Sequence, residues 1–576
     1  MYILGLNIGH SATACLLKDG KIIGCVSEER FSRIKNHAGL PKKSIDYLLK
    51  EEGITLADIN SIVLDDHYPI LDNPDYGKVH HESYTKKSRL KHISFKVAYK
   101  YPNLYKKYKS LRGATKDKDI LKQELSEILN YPKEKIKVID HHYAHSLSPC
   151  FNLPKNEKTL IFTLDGEGSE SCATINIFDG KNMETIARSN KIASVGNLYG
   201  IATIILGMKP LQHEFKVMGL APYAKEESVN KIYNKFKELI WIDENLNFQS
   251  KFSMAFSDYF FKEEMKFVRF DNIAGAVQKL VEELSTEWIR RAIEKTGIHN
   301  IALSGGVFMN VKANQKISEM PEVHKIFVMP SSGDESNAIG CSFFGYQLYC
   351  KENIKELNVK PIEDLYLGPS YDDKYIEKMI QEKNLKERYE IKKVKNINQE
   401  VAKLLSQGYI VARSSGKSEW GARALGNRSI LANPKNKETI KVINELIKDR
   451  DFWMPFTPSI LDKFEKIYIK NPKKISAPYM VITFNSTEKA QNDLPAAMHP
   501  YDLTVRPQVV TKKYNKDYYE IIEKFQKLTG IGGILNTSFN LHGEPNVLTP
   551  EDAIHTVDNS GLRYLACGNY LFKKKD

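Results

Sequence analysis

Leu160-Ile161-Phe162-Thr163-Leu164-Asp165-Gly166-Glu167-Gly168-Ser169 opens a pattern that the chain has already used once. It continues through two runs, Cys172 to Phe178 and Asn182 to Ala187, on either side of Asp179-Gly180. At the N-terminus Tyr2 to Asn7 leads into Gly9-His10-Ser11, and Ala12 to Leu17 and Lys21 to Ser27 flank Asp19-Gly20. In both copies an apolar run predicts a buried strand, glycine with small polar residues predicts a turn, and Asp-Gly between alternating runs predicts a hairpin.

A duplicated unit of strand, turn and hairpin, each copy followed by helical stretches, predicts an α/β chain that begins with an actin-like, sugar-kinase-like (ASKHA) ATPase fold. A nucleotide in such a fold sits between the two halves. The turn in Ile301-Ala302-Leu303-Ser304-Gly305-Gly306-Val307-Phe308-Met309-Asn310 suits that place, because two glycines let backbone N–H groups approach phosphate or ribose. Gly305, Gly306, Val307 and Asn310 are therefore candidate nucleotide contacts.

Two apolar runs end in acids. Leu160 to Leu164 delivers Asp165, and Ile326-Phe327-Val328-Met329-Pro330 leads to Ser331-Ser332-Gly333-Asp334-Glu335. Both read as buried strands that bring an Asp to the carboxyl edge of a sheet, where α/β proteins place their chemistry. In Asp140-His141-His142-Tyr143-Ala144-His145 the outer histidines stand one helical turn apart and can present two imidazoles to one ion. A lone HxxxH pair reads more simply as two ordinary histidines; the two acids raise it to a candidate centre of His141, His145, Asp165 and Asp334. That donor set suits iron(II), manganese or zinc better than magnesium.

At 576 residues and 42% hydrophobic composition the chain can bury more than one core. No apolar run approaches the ~20 residues of a bilayer span, and the first residues read as a strand and not as a signal peptide, so no membrane role and a cytoplasmic location are expected. Seven cysteines without a CxxC pair read as reduced core residues. The formal charge of +13 comes from 84 basic against 71 acidic residues, a mixed surface and not a polybasic one. Part of the excess lies in a Lys/Tyr-rich insertion at about 80–118, which reads as a solvated helical segment or, functionally, as a surface for RNA or an anionic acceptor.

A boundary between Cys350 and Pro369 separates residues 1–360 from a second α/β domain, 366–576. There Val401 to Leu405 reads as helix and Tyr409 to Arg413 as strand. They precede Glu419-Trp420-Gly421-Ala422-Arg423-Ala424-Leu425-Gly426-Asn427-Arg428-Ser429. Arg423 and Arg428, with Lys448, Arg450 and Arg506, predict a cationic pocket that grips phosphates in forked geometry. Asn536, Ser538 and Asn540 offer neutral donors at a strand end, or plain turn chemistry.

Taken in order, these stretches resemble the carbamoyltransferase family of nodulation protein U and the antibiotic O-carbamoyltransferases. The resemblance is carried by Ser27-Glu28-Glu29-Arg30-Phe31-Ser32-Arg33, His141 to His145, Glu214-Phe215-Lys216-Val217-Met218-Gly219-Leu220-Ala221, Ser304 to Val307 and Gly333-Asp334-Glu335. It continues through Glu419 to Leu431, Pro455 to Ser459, Arg506-Pro507-Gln508 and Leu535 to Asn540. It implies a first domain similar to the tRNA threonylcarbamoyltransferase and a second similar to YrdC-type domains.

The implied chemistry has two steps. The second domain converts ATP, with Mg2+, and carbamoyl phosphate into carbamoyl adenylate. The first domain then passes the carbamoyl group to a hydroxyl of a small-molecule or sugar acceptor. The resemblance also implies His141, His145, Asp165 and Asp334 as ligands of iron(II), with Mn or Zn as substitutes, and His10 as general base. It adds Glu214 and Lys216 to the nucleotide contacts and places Ser429, Ser538 and Asn540 beside the phosphate arginines. Ser11 departs from the pattern, since an Asp usually follows the histidine. Competing readings are a tRNA-modifying (threonyl)carbamoyltransferase and a non-catalytic ATP-binding protein. Nucleic acid is not the expected partner, and neither the acceptor nor the oligomeric state is encoded in a readable way.

Overall fold

The Asp-Gly hairpins form as their turn chemistry requires. In the computed structural model, which describes residues 1–67, 118–448 and 451–575, β2 (Thr13–Lys18) and β3 (Lys21–Ser27) are joined by Asp19 and Gly20 alone. Both residues have positive φ, 47° and 80°, as a tight turn between right-twisted strands demands. The second hairpin, β7 (Ser171–Phe178) and β8 (Met183–Asn190), has a longer turn, in which the Asp179 carboxylate accepts the N–H groups of Lys181 and Asn182.

Each hairpin continues a sheet of the same design. In the first, β1 (Tyr2–Asn7) pairs antiparallel with β2 and parallel with β4 (Ser61–Asp65), which pairs parallel with β5 (Ile136–Ile139). In the second, β6 (Thr159–Leu164) pairs antiparallel with β7 and parallel with β9 (Asn300–Ser304), which pairs parallel with β10 (Lys325–Val328). The orders β3-β2-β1-β4-β5 and β8-β7-β6-β9-β10 correspond strand for strand. β6 is buried along its whole length, whereas the edge strand β8 alternates with solvent. Leu4, Leu6, Leu16, Ile62 and Leu64 of the first sheet pack with Ile45 and Leu48 of α1 (Lys42–Glu52) in one apolar cluster.

Two glycines allow the close approaches that set the site. A Cβ at Gly5 of β1 would lie 2.0 Å from the Ala338 carbonyl oxygen, and one at Gly340 would lie 1.8 Å from that of Ala144. The helix carrying Ala338 and Gly340, Asn337–Glu352, thus rests directly on β1 and on the short helix that bears His141 and His145.

The chain divides into two compact units, the first Met1–Ser32 with Asn36–Ile362 and the second Arg33–Lys35 with Glu363–Asp576. The second is built on an eight-stranded mixed sheet. Its strands are β11 (Tyr389–Lys393), β12 (Val411–Ser414), β13 (Arg428–Ala432), β14 (Thr457–Leu461), β15 (Gln508–Val510), β16 (Gly533–Ser538), β17 (Tyr564–Cys567) and β18 (Tyr570–Lys574). Their order is β11-β18-β17-β12-β13-β16-β14-β15. All seven cysteines are free and buried. Among the described residues no helix is long and apolar enough to cross a membrane. The Lys/Tyr-rich insertion, up to residue 117, lies outside the described residues.

Candidate active site

β5 hands the chain to α2 (His141–Leu147) through Asp140, whose carboxylate accepts the Tyr143 N–H at 2.9 Å and caps the helix. One turn of α2 separates His141 from His145. Asp165 follows β6 directly, and Asp334 lies in the loop beyond β10. The His141 Nε2 is 3.3 Å from Asp165 Oδ2 and 3.6 Å from Asp334 Oδ1; the His145 Nε2 is 3.7 and 3.4 Å from the same two oxygens. One ligand atom from each of the four residues lies within 4.8 Å of the others.

These residues fit a metal ion. A tetrahedral ion with bonds of about 2.1 Å needs neighbouring ligands about 3.4 Å apart. Among the described residues the His145 Nε2 is also buried without a hydrogen-bond partner, an orphan that a metal bond would satisfy. Each ligand is held from behind. The His141 Nδ1 lies 2.6 Å from Asp65 Oδ2, the His145 Nδ1 lies 3.3 Å from the Ser336 hydroxyl, Asp165 Oδ1 accepts the Gly306 N–H at 3.0 Å, and Asp334 Oδ2 lies 2.9 Å from the His10 Nδ1.

Charge follows from this packing. Burial alone would lower the pKa of His141 and His145, but the Asp334 charge and the hydrogen bonds to Asp165 and Asp65 raise His141 well above 6.5, and the nearby Asp165 and Asp334 carboxylates raise His145. Burial alone would raise both acids, yet the surrounding histidines hold Asp165 and Asp334 below the usual carboxylate range. His142 points away: its Nδ1 is 2.8 Å from the Thr163 hydroxyl, and its Nε2 is 3.1 Å from the Ser171 carbonyl. Burial and the charges of His141 and His145 push His142 down to about 3, so it is a neutral core residue. Burial outweighed by Asp334, with help from Asp165 and Glu335, brings His10 up to about 9, and its side chain keeps 24% exposure.

In the second unit the loop before β13 is held almost entirely by buried side chains. One Glu419 oxygen accepts the N–H groups of Leu425, Asn427 and Arg428 at 2.9, 2.7 and 3.1 Å. The loop carbonyls are taken up as well: Ala424 by Asn536, Leu425 by Gln508 and the Tyr366 hydroxyl, and Gly426 by Arg413. Half-buried Arg423 lies in this loop between exposed Ala422 and buried Ala424. Half-buried Arg506 stands two residues before Gln508, which ties its segment to the same loop.

The family model described as Carbamoyltransferase N-terminus matches residues 2–343, and that described as Carbamoyltransferase C-terminus matches residues 402–574. The chain belongs to the carbamoyltransferase family. It is 31% identical to the protein MJ1051 of Methanocaldococcus jannaschii, with 99% of each chain covered. It is 29% identical to nodulation protein NolNO of Sinorhizobium fredii, with 98% of this chain and 79% of that one covered. A solved structure of full-length HypF in its phosphate- and nucleotide-bound form aligns at 15% identity and a TM-score of 0.35, over 62% of this chain and 56% of that one, too distant to carry an argument.

In this member of the family, several residues expected to face ligand do something else. Arg428 is 1% exposed, and its guanidinium donates to the carbonyls of Leu548, Ser415, Gly416, Asn427 and Pro369. Its fork is occupied by carbonyls, which corrects the expected phosphate contact. The Ser429 hydroxyl accepts the Gly426 N–H inside the same loop. Ser538 donates to Asn540, which donates to the Leu541 and Glu544 carbonyls, so this pair shows turn chemistry, while Asn536 braces the Ala424 carbonyl. The Lys448 side chain and Arg450 lie outside the described residues.

In the first unit, Gly305 has φ 99°, and Gly306 donates to Asp165, so the glycine turn braces a candidate ligand. Val307 follows half-buried. Asn310 caps the helix Val311–Glu319 and pairs with Gln278. Glu214, its pKa raised by burial, accepts the Leu211 N–H, and half-buried Lys216 lies on the same short helix. Sequence reasoning missed Asp65, although Ile62-Val63-Leu64-Asp65 carries the same strand-ending acid as Leu164-Asp165. It also assigned no role to Glu419.

Proposed function

We propose that the protein is an ATP-dependent O-carbamoyltransferase with an actin-like first part and a YrdC-like second part, working in the two steps that the family chemistry implies. The observation that carries the reading is the four-residue centre with His10 on its rim, in a chain that belongs to this family. In the second unit carbamoyl phosphate, ATP and one water give carbamoyl adenylate, pyrophosphate and phosphate. Arg423 and Arg506 supply the charge that grips the phosphates, and Glu419 keeps the Arg423 loop in place.

In the first unit the acceptor oxygen attacks the carbamoyl carbon, the C–O bond to the adenylate phosphate breaks, and AMP leaves. A bound iron(II) or related ion would act as a Lewis acid on the carbonyl and leaving phosphate. The His10 Nδ1 lies 2.9 Å from Asp334 Oδ2, and a proton held on that nitrogen would leave Nε2 to take the acceptor proton. Asp334 thus serves both ligation and orientation of the base. A base must be unprotonated, so this role requires that the Asp334 charge be shared with a ligand other than His10.

The test is pyrophosphate release by the purified protein with ATP, magnesium and carbamoyl phosphate, without acceptor. Release that needs carbamoyl phosphate and disappears in Arg423→Ala supports the reading. Release indifferent to carbamoyl phosphate overturns it.

A further inference from the structure

The metal ligands are not held alike. His145 is backed by a hydroxyl at 3.3 Å, whereas His141 is backed by a carboxylate at 2.6 Å. Asp65 is fully buried, Asn337 donates to the same Oδ2 at 3.2 Å, and the other oxygen, Oδ1, is buried without a hydrogen-bond partner among the described residues. Burying a carboxylate with one oxygen unpartnered costs folding free energy. An asparagine would fill the same space without burying a charge.

Asp66 next to it holds the other end of the same residue. Its Oδ1 accepts the His141 backbone N–H at 3.0 Å and the Ser169 hydroxyl at 2.7 Å, and its Oδ2 pairs with Lys118 at 2.9 Å. The end of β4 therefore grips His141 twice, by ring and by backbone. With Nδ1–H donated to Asp65, the Nε2 lone pair is directed at Asp165 and Asp334, and the carboxylate makes that nitrogen a stronger donor to a cation. The register explains how. β4 and β5 are parallel with Asp65 opposite Ile139, so the first residue of the helix after β5 comes back over the end of β4.

From this geometry we infer that Asp65 is a positioning residue of the metal centre, selecting Nε2 of His141 as the ligand and making His141 the dominant imidazole of the pair. The inference rests on the reading of His141, His145, Asp165 and Asp334 as metal ligands, and it adds a residue and a ranking that this reading does not contain.

The experiment titrates the full-length, metal-stripped protein with Co2+, following visible absorption and measuring affinity by competition with a chromogenic chelator. Wild type, Asp65→Asn, Asp65→Glu, Ser336→Ala and His145→Ala are compared, with melting temperatures recorded alongside. The expected result is a loss of about 10–100-fold in Co2+ affinity and an altered absorption band for Asp65→Asn, with a smaller loss for Ser336→Ala. Asp65→Glu, which keeps the carboxylate but strains the packing, should bind Co2+ more tightly than Asp65→Asn even where it melts lower. Affinity that follows melting temperature across the series would make Asp65 merely structural and overturn the inference. So would an Asp65→Asn protein with wild-type affinity and spectrum while His145→Ala has lost both. A wild-type protein that binds no Co2+ would overturn the metal reading itself and this inference with it.

Discussion

Replacing Glu419 by Ala removes the acceptor of three buried N–H groups at once, those of Leu425, Asn427 and Arg428. A buried donor left without a partner costs about 1–3 kcal/mol, and water entering the vacated space recovers part of that, so about 3–5 kcal/mol is expected for the three together. Against a typical domain stability of about 5–15 kcal/mol, this is a large fraction for a residue predicted to touch no substrate. Urea denaturation followed by tryptophan fluorescence reads the loss, since Trp420 is adjacent and only 2% exposed. Hydrogen exchange of the peptide spanning 420–430 localises it: protection should fall there first, and pyrophosphate release should fall with it as Arg423 loses its platform. A loss below about 1 kcal/mol with unchanged protection at 425–428 would refute the idea that Glu419 organises this loop.

Arg428→Met should also unfold the second unit readily, because the carbonyls of Leu548, Ser415 and Gly416 lose the guanidinium that bonds them and those of Asn427 and Pro369 keep only a backbone donor, whereas Arg423→Ala should melt within about 0.5 kcal/mol of wild type while losing pyrophosphate release; parallel thermal melts separate the two arginines. Gly340→Ala places a Cβ 1.8 Å from the Ala144 carbonyl and must push apart the two helices that frame the metal residues, costing about 1–3 kcal/mol and weakening Co2+ binding in the same titration. Metal affinity should rise from about pH 6 to 8, because the acids hold His141 and His145 protonated above the ordinary imidazole value and a ligand imidazole must be neutral. Calorimetry in buffers of different ionisation enthalpy should detect the released protons, and an affinity flat across that range would contradict this.

Much of the first unit was legible because its signals are local. Asp19-Gly20 needs two positive φ angles and has them, and β6 runs apolar through Leu164 before its acid. His141 and His145 announce themselves by helical spacing, and Asp165 and Asp334 by their places after strands; the structure brings all four together. Asp65 bears the same local signature but acts on a histidine 76 residues away through the pairing of β4 with β5, and that register is not written in either segment. Arg428 failed for a different reason. A guanidinium fork suits carbonyls as well as phosphates, and only the course of the chain around 369, 415 and 548 decides which it meets. Asn536 reads as a ligand donor or turn former, yet from within β16 its side chain braces the Ala424 carbonyl, as Gln508 at the start of β15 braces that of Leu425.

The proposed reaction divides its labour, activation depending on Arg423 and transfer depending on the His–Asp centre. The most direct test is acceptor-free, carbamoyl-phosphate-dependent pyrophosphate release measured side by side in wild type, Arg423→Ala and His145→Ala. Release is expected from wild type and His145→Ala alike and none from Arg423→Ala. Silence from His145→Ala at full folding, or release from Arg423→Ala at the wild-type rate, would contradict it.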